Sequence, residues 1–140
     1  GDSKYKKHYV ELIRERGGVF QTLIHPTALI SPNAEIGQGC VILANVFVSC
    51  EVKTGDFVTL QPFCAIGHDV RIASFAHLNA YAFMGGYSQA EEGATLHTGA
   101  KVLPHKKVGA WATVGAGGVV LRNVKPGQTV FGVPAVPILS

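Results

Sequence analysis

A chain of 140 residues with 47% apolar and 15% charged side chains is long enough for one domain with a single core, and too apolar to stay disordered. Its net charge of +3, from 12 basic and 9 acidic residues, is too small for a nucleic-acid groove and suits a small polyanion such as a nucleotide. Apolar runs are short and broken by Gly, Asn, Asp or His, which argues against a transmembrane stretch or a signal-peptide core, so the chain reads as soluble and cytoplasmic, with no membrane partner.

The first element is a helix from Ser3 to Gly17, where Tyr5, Tyr9, Leu12 and Ile13 recur at i, i+4, i+7 and i+8. Ser3 is placed as its N-cap and Gly17 as its stop. Lys4, Lys6, Lys7, Arg14 and Arg16 gather basic charge on the same segment. Val19 to Leu23 then leads as an extended stretch into His25-Pro26, so residues 1–22 form a helix and linker and residues 23–140 the main domain.

From Ile24 the chain steps in sixes through Ile30, Ile36, Ile42, Val48, Thr54, Leu60, Ile66, Ile72, Leu78, Met84, Ala90, Leu96, Val102, Val108 and Val114 to Val120. Thr54 and Ala90 alone depart from Ile, Leu, Val or Met. Two residues before each of these lies a small one (Ala28, Ala34, Cys40 and so on to Gly118), with Lys106 the exception. Residues two apart in a strand point the same way, so each unit is a short strand with a small and a large residue facing inward. Strands this short must wind to bury that face. Three units per turn give a triangular prism with 18-residue coils, about five of them, stacked at the ~4.8 Å strand spacing. The fold class is all-β, a parallel β-helix preceded by one short α-helix. A sandwich would show turn signals every 8–12 residues rather than phase-locked sixes. Beyond Val120, Lys125-Pro126-Gly127 turns the chain and Val130 to Ile138 covers the open end. Cys40, Cys50 and Cys64, odd in number and without C-x-x-C spacing, read as reduced and structural.

Chemistry is sought at the corners. His68 and Asp69 share one, and a carboxylate beside an imidazole sets its tautomer and raises its basicity, as a general base requires. His77 stands on an outward position nine residues on. One coil beyond His68 is Gly86, preceded by Gly85, where the missing side chain would let a thioester approach and the N–H face a developing oxyanion. Tyr81, Phe83 and Tyr87 read as walls of an acceptor site or as filling for an interface between copies. His8, His25, His97 and His105 read as bystanders, the last two as solvated corner residues.

The run from Leu23-Ile24-His25-Pro26-Thr27-Ala28 through Ile66-Gly67-His68-Asp69, Phe75-Ala76-His77-Leu78 and Gly85-Gly86 to Gly132-Val133-Pro134-Ala135 resembles bacterial sugar acetyltransferases of the sialic acid O-acetyltransferase type. That group includes N-acetyltransferases of nucleotide-linked amino sugars. The resemblance implies a left-handed coil, against the usual right-handed crossover. It implies acetyl-CoA as donor, no metal, a sugar or nucleotide-sugar acceptor taking acetyl on an amine or a hydroxyl, and a homotrimer with sites between subunits. It casts His68 as general base, Asp69 as its orienter, His77 as a contact to the acetyl donor and Gly86 N–H as the polariser of the thioester carbonyl. Lys101, Lys106, Lys107 and Arg122 are candidates for the CoA phosphates. Two features depart from the family: no G-x-G-x-x-G precedes the repeat, so the first helix reads as the end of a sugar-nucleotide-binding domain, and Val136 stands where a lysine is common. Two other functions fit the fold, a γ-carbonic anhydrase-like zinc hydratase and a catalytically silent scaffold. The hydratase needs stacked histidines, whereas Thr59 and Thr95 lie one coil either side of His77.

Overall fold

The computed structural model describes residues 3–138. Two-residue strands, pairing in parallel with the strand 18 residues on except at the C-terminal end, build three faces of a prism with eight, six and four strands. Leu23, Val41, Thr59, His77, Thr95 and Thr113 stack on the first face. Leu29, Phe47, Ala65, Phe83, Lys101 and Val119 stack on the second, and Lys53, Arg71, Gln89 and Lys107 on the third. The fold is a left-handed parallel β-helix of about six turns. Beyond Val120 the winding continues for one shortened turn, in which Thr129 pairs with Thr113.

Both inward registers line the axis: from Cys40 to Val130 the small and large residues form one buried core. Each fully buried aliphatic side chain contributes about 1.5–3 kcal/mol. Thr54, one exception to the aliphatic register, donates its hydroxyl to Gly55 O at 3.0 Å and accepts from Gly37 N–H at 3.1 Å. Lys106, the exception to the small register, is half-buried. The first coil differs from expectation. Ile24 is 48% exposed because no winding lies beneath it, although its place in the sixfold register matches that of Ile42, which is 1% exposed. At the other end Val136–Pro137 pairs antiparallel with Thr129–Phe131 and Ala135 packs on the core, so the tail covers that end.

Every sixth residue from Gly39 to Gly117 has a left-handed backbone, and ten of these are not glycine. Such a conformation costs an L-residue roughly 1–2 kcal/mol. Stacking offsets it: Phe57 lies on Phe75, Phe63 on Tyr81 and Tyr87 on His105, with ring centroids 5.3, 5.0 and 5.0 Å apart, one coil above another. Such pairs contribute about 0.5–1.5 kcal/mol. The N–H of the left-handed residue also bonds the corner below, as Asp69 N–H does to Cys50 O (3.0 Å) and Tyr87 N–H to His68 O (3.0 Å).

The helix spans Ser3–Glu15 and ends as predicted: Gly17 is left-handed (φ 82°), its N–H bonds Arg14 O, and Gly18 N–H bonds Ile13 O. The packing face is a different matter. Tyr5, Tyr9, Leu12 and Ile13 are exposed, while Val10 is buried against Phe57 and Phe75. Cations do much of the docking, with Arg14 and Lys7 over the Phe57 and Phe75 rings and Lys4 over Trp111. Lys6 Nζ donates to Phe57 O and Thr59 Oγ1 at 2.8 and 2.9 Å, and burial pulls its pKa down. Lys7 pairs with Glu92 at 2.9 Å, a bond that raises its pKa. No helix among the described residues is long and apolar enough to cross a membrane.

All three cysteines are free thiols: Cys40 and Cys64 are buried, and burial pushes the Cys64 thiol up to about 11, whereas Cys50 is exposed at a corner. Ser88 Oγ is the one buried side-chain oxygen or nitrogen among the described residues without a hydrogen-bond partner. Because an unsatisfied hydroxyl costs about 1–3 kcal/mol, Ser88→Ala should raise the urea midpoint or leave it unchanged, and a loss above about 1 kcal/mol would show that the hydroxyl is bonded.

Candidate active site

The corner that joins the second face to the third carries Cys50-Glu51, His68-Asp69, Gly86-Tyr87 and Pro104-His105, successive pairs 18 residues apart. The N–H groups of Cys50, His68 and Gly86 at its first position take no part in the backbone ladder, and its second position is left-handed. His68 therefore projects outward, 53% exposed, from a rigid edge. Asp69, held at φ 58°, places Oδ2 3.0 Å from His68 Nδ1. A carboxylate only accepts, so Nδ1 carries the proton and Nε2 presents its lone pair.

Gly86 lies where the sequence predicts, immediately against that ring. A Cβ built on it would sit 2.6 Å from His68 Nε2 and 2.8 Å from Cε1. Gly86 is not left-handed, so the glycine is required by the imidazole rather than by torsion. Among the described residues its N–H has no hydrogen-bond acceptor. Gly67 is a residue that sequence reasoning passed over: a Cβ there would meet Gly86 N and Met84 O, each at 2.9 Å, and would cover that N–H. The signal was present in Ile66-Gly67-His68, but a glycine before a histidine has no meaning until the next winding is placed above it. A proton acceptor and a free amide donor thus share one edge, the pair needed to deprotonate a nucleophile and stabilise an oxyanion.

Of the other candidates Arg122, two windings beyond Gly86, shares this corner, and the rest stand elsewhere. His77 is on the first face, away from the His68 corner, between Thr59 and Thr95 in register. It is half-buried, and burial, with Lys6 among the lesser causes, holds its pKa below the ordinary histidine value, so it is neutral at pH 7. Lys101 rises from the second face, but its Nζ donates to Gly99 O (2.9 Å) at the opposite corner. Lys107 pairs with Glu91 at 3.5 Å on the third face. Arg122 follows Val119–Val120 off the second face and lines a cleft of about 240 Å³ with Leu121, Pro134, Ala135 and Val136. His97 follows Thr95–Leu96 at the start of a corner, exposed and 3.4 Å from Asn79, and His105 is a corner residue stacked on Tyr87.

Solved structures of the same shape carry the comparison further. Perosamine N-acetyltransferase from Caulobacter crescentus, solved with CoA and GDP-perosamine, superposes on 99% of this chain with TM-score 0.97 and 29% identity, over 66% of its own length. The acetyltransferase domain of PglB from Neisseria gonorrhoeae gives TM-score 0.95 and 31% identity over 98% of this chain and 67% of that one. The chain belongs to the hexapeptide-repeat acetyltransferases. The PglB domain is also solved with acetyl coenzyme A. Serine acetyltransferase of Escherichia coli is 34% identical over 118 residues, 83% of this chain but 37% of that enzyme. No family model matches the sequence.

The close approach at residue 86 is directly testable. Gly86→Ala should swing the imidazole off Asp69, seen by NMR as loss of the single Nδ1-protonated form of His68. The fold should lose less than about 1 kcal/mol, because the ring moves into solvent. An unmoved His68 would show that the two groups are further apart than described.

Proposed function

We propose that this domain transfers the acetyl group of acetyl-CoA to an amino group of a nucleotide-linked sugar, with His68 as general base. The observation that carries the reading is the stack of His68 Nε2 on Gly86, beside an amide with no other acceptor. The relatives of matching shape support it: one is named for N-acetylation of perosamine and was solved with CoA and the GDP-linked sugar.

In this reading the acceptor amine attacks the thioester carbonyl carbon as Nε2 takes its proton, and Asp69 holds the imidazolium that forms. Gly86 N–H donates to the oxygen of the tetrahedral intermediate. The C–S bond then breaks, the electron pair leaves with sulfur, and the proton on His68 is released. The bare edge made by Gly67 and Gly86 is where the thioester fits without a side chain in its way. We favour Arg122, on the side of the later coils, for a CoA phosphate over Lys101 and Lys107, whose ammonium groups already have partners. The test is acetyl-CoA-dependent thiol release with GDP-perosamine as acceptor. His68→Ala should lower the rate by about 100-fold or more, the usual share of a positioned base, and a rate within a few-fold of the parent would remove His68 from that role.

His77 enters this site from another copy. The second face exposes Leu29, Phe47 and Phe83, with Phe63 and Tyr81 at its inner corner, a patch suited to burial between subunits. A trimer that turns the first face of one copy toward the second face of the next brings His77 of the neighbour toward His68, and a neutral imidazole there donates to the acetyl oxygen. Mixed trimers of His68→Ala and His77→Ala, each inactive alone, should recover activity because some sites then hold both histidines. Failure of the mixture to recover would mean that the site is not shared.

A further inference from the structure

The exposed His68 ring needs more than Asp69 to hold one orientation, since a surface histidine ordinarily samples several rotamers. The Tyr87 ring stands against it edge to face, with centroids 5.2 Å apart and planes at 89°. Tyr87 is itself fixed. Its backbone is left-handed (φ 63°), its N–H donates to His68 O at 3.0 Å, and on its far side His105 stacks at 5.0 Å with planes 4° apart. His105 N–H in turn donates to Gly86 O at 3.1 Å, so the backbone ties the three successive corners whose rings touch. Tyr87 therefore cannot yield toward the later coils without displacing His105.

We propose that Tyr87 is a positioning residue for His68, with His105 as its buttress: the tyrosine ring closes the side of the imidazole that Asp69 and Gly86 leave open, and so keeps Nε2 aimed at the Gly86 amide. The inference rests on the reading of His68 as the base. The contact is made by the ring and does not involve the phenol hydroxyl, which separates this role from proton transfer by Tyr87 itself.

The test uses the whole chain with acetyl-CoA and GDP-perosamine. Tyr87→Ala should lower kcat about tenfold, the scale of a small misplacement, with KM for acetyl-CoA unchanged within twofold. Tyr87→Phe should keep kcat within twofold, and His105→Ala should fall between them. A normal kcat in Tyr87→Ala, a change confined to KM, or a Tyr87→Phe as impaired as the alanine variant each overturns the proposal. His68→Ala, measured alongside, separates the two levels: if it is active the base reading fails, and if it is inactive while Tyr87→Ala is normal only the positioning role fails. The ¹⁵N spectrum of His68 gives a reading independent of turnover. One Nδ1-protonated tautomer is expected in the parent and in Tyr87→Phe, and a mixture of tautomers in Tyr87→Ala; a single tautomer in Tyr87→Ala overturns the proposal.

Discussion

A backbone that turns left-handed at every sixth residue is the constraint from which the rest of this molecule follows. Because each corner recurs after 18 residues, whatever occupies one corner faces the same corner of the winding above and below. Phenylalanine stacks on phenylalanine, tyrosine on histidine, and His68 on the empty space of Gly86. Core, edges and candidate site are therefore columns of one repeat rather than separate designs. The rigidity matters for chemistry, since positions set by a ladder of 2.7–3.2 Å hydrogen bonds around each winding do not drift as loop residues would.

The parts of this arrangement that periodicity controls were legible in the amino-acid sequence. The two inward registers run along the axis as read, and the prediction that residue 86 lies over residue 68 needed only the 18-residue coil. What escaped is what periodicity does not encode. The apolar stripe of the first helix, Tyr5, Tyr9, Leu12 and Ile13, reads as its packing face, yet Lys7 and Arg14 on aromatic corners dock it. Those aromatic corners were hidden because left-handed positions are ordinarily sought at glycine and asparagine, and stacking across coils is a tertiary gain that no local propensity contains. Ile24 failed for a simpler reason: inward-facing is not buried when the neighbouring winding is missing. His77 could be assigned a face from its position, but not a distance from His68, since in one copy the two stand on different sides of the prism.

The candidate site is also where the repeat relaxes its own rules. Most corners fill their outer surface with a side chain; at residues 67 and 86 the chain gives up both, and a polar imidazole projects into the gap beside a donor that the ladder does not use. Unused donors at corners are a general product of the fold. A donor left uncovered next to an oriented base is specific to this edge, and it gives the family relationship a physical content that shape alone does not supply.

The central claim is that the Gly86 amide and His68 Nε2 flank a single reacting carbonyl. A crystal structure with a non-hydrolysable acetyl-CoA analogue tests it most directly. The account predicts the carbonyl oxygen within about 3 Å of Gly86 N, with the carbonyl carbon beside His68 Nε2 and the rest of the donor running toward the later coils. A donor seated on another edge of the prism, or with its carbonyl turned away from Gly86, would contradict it.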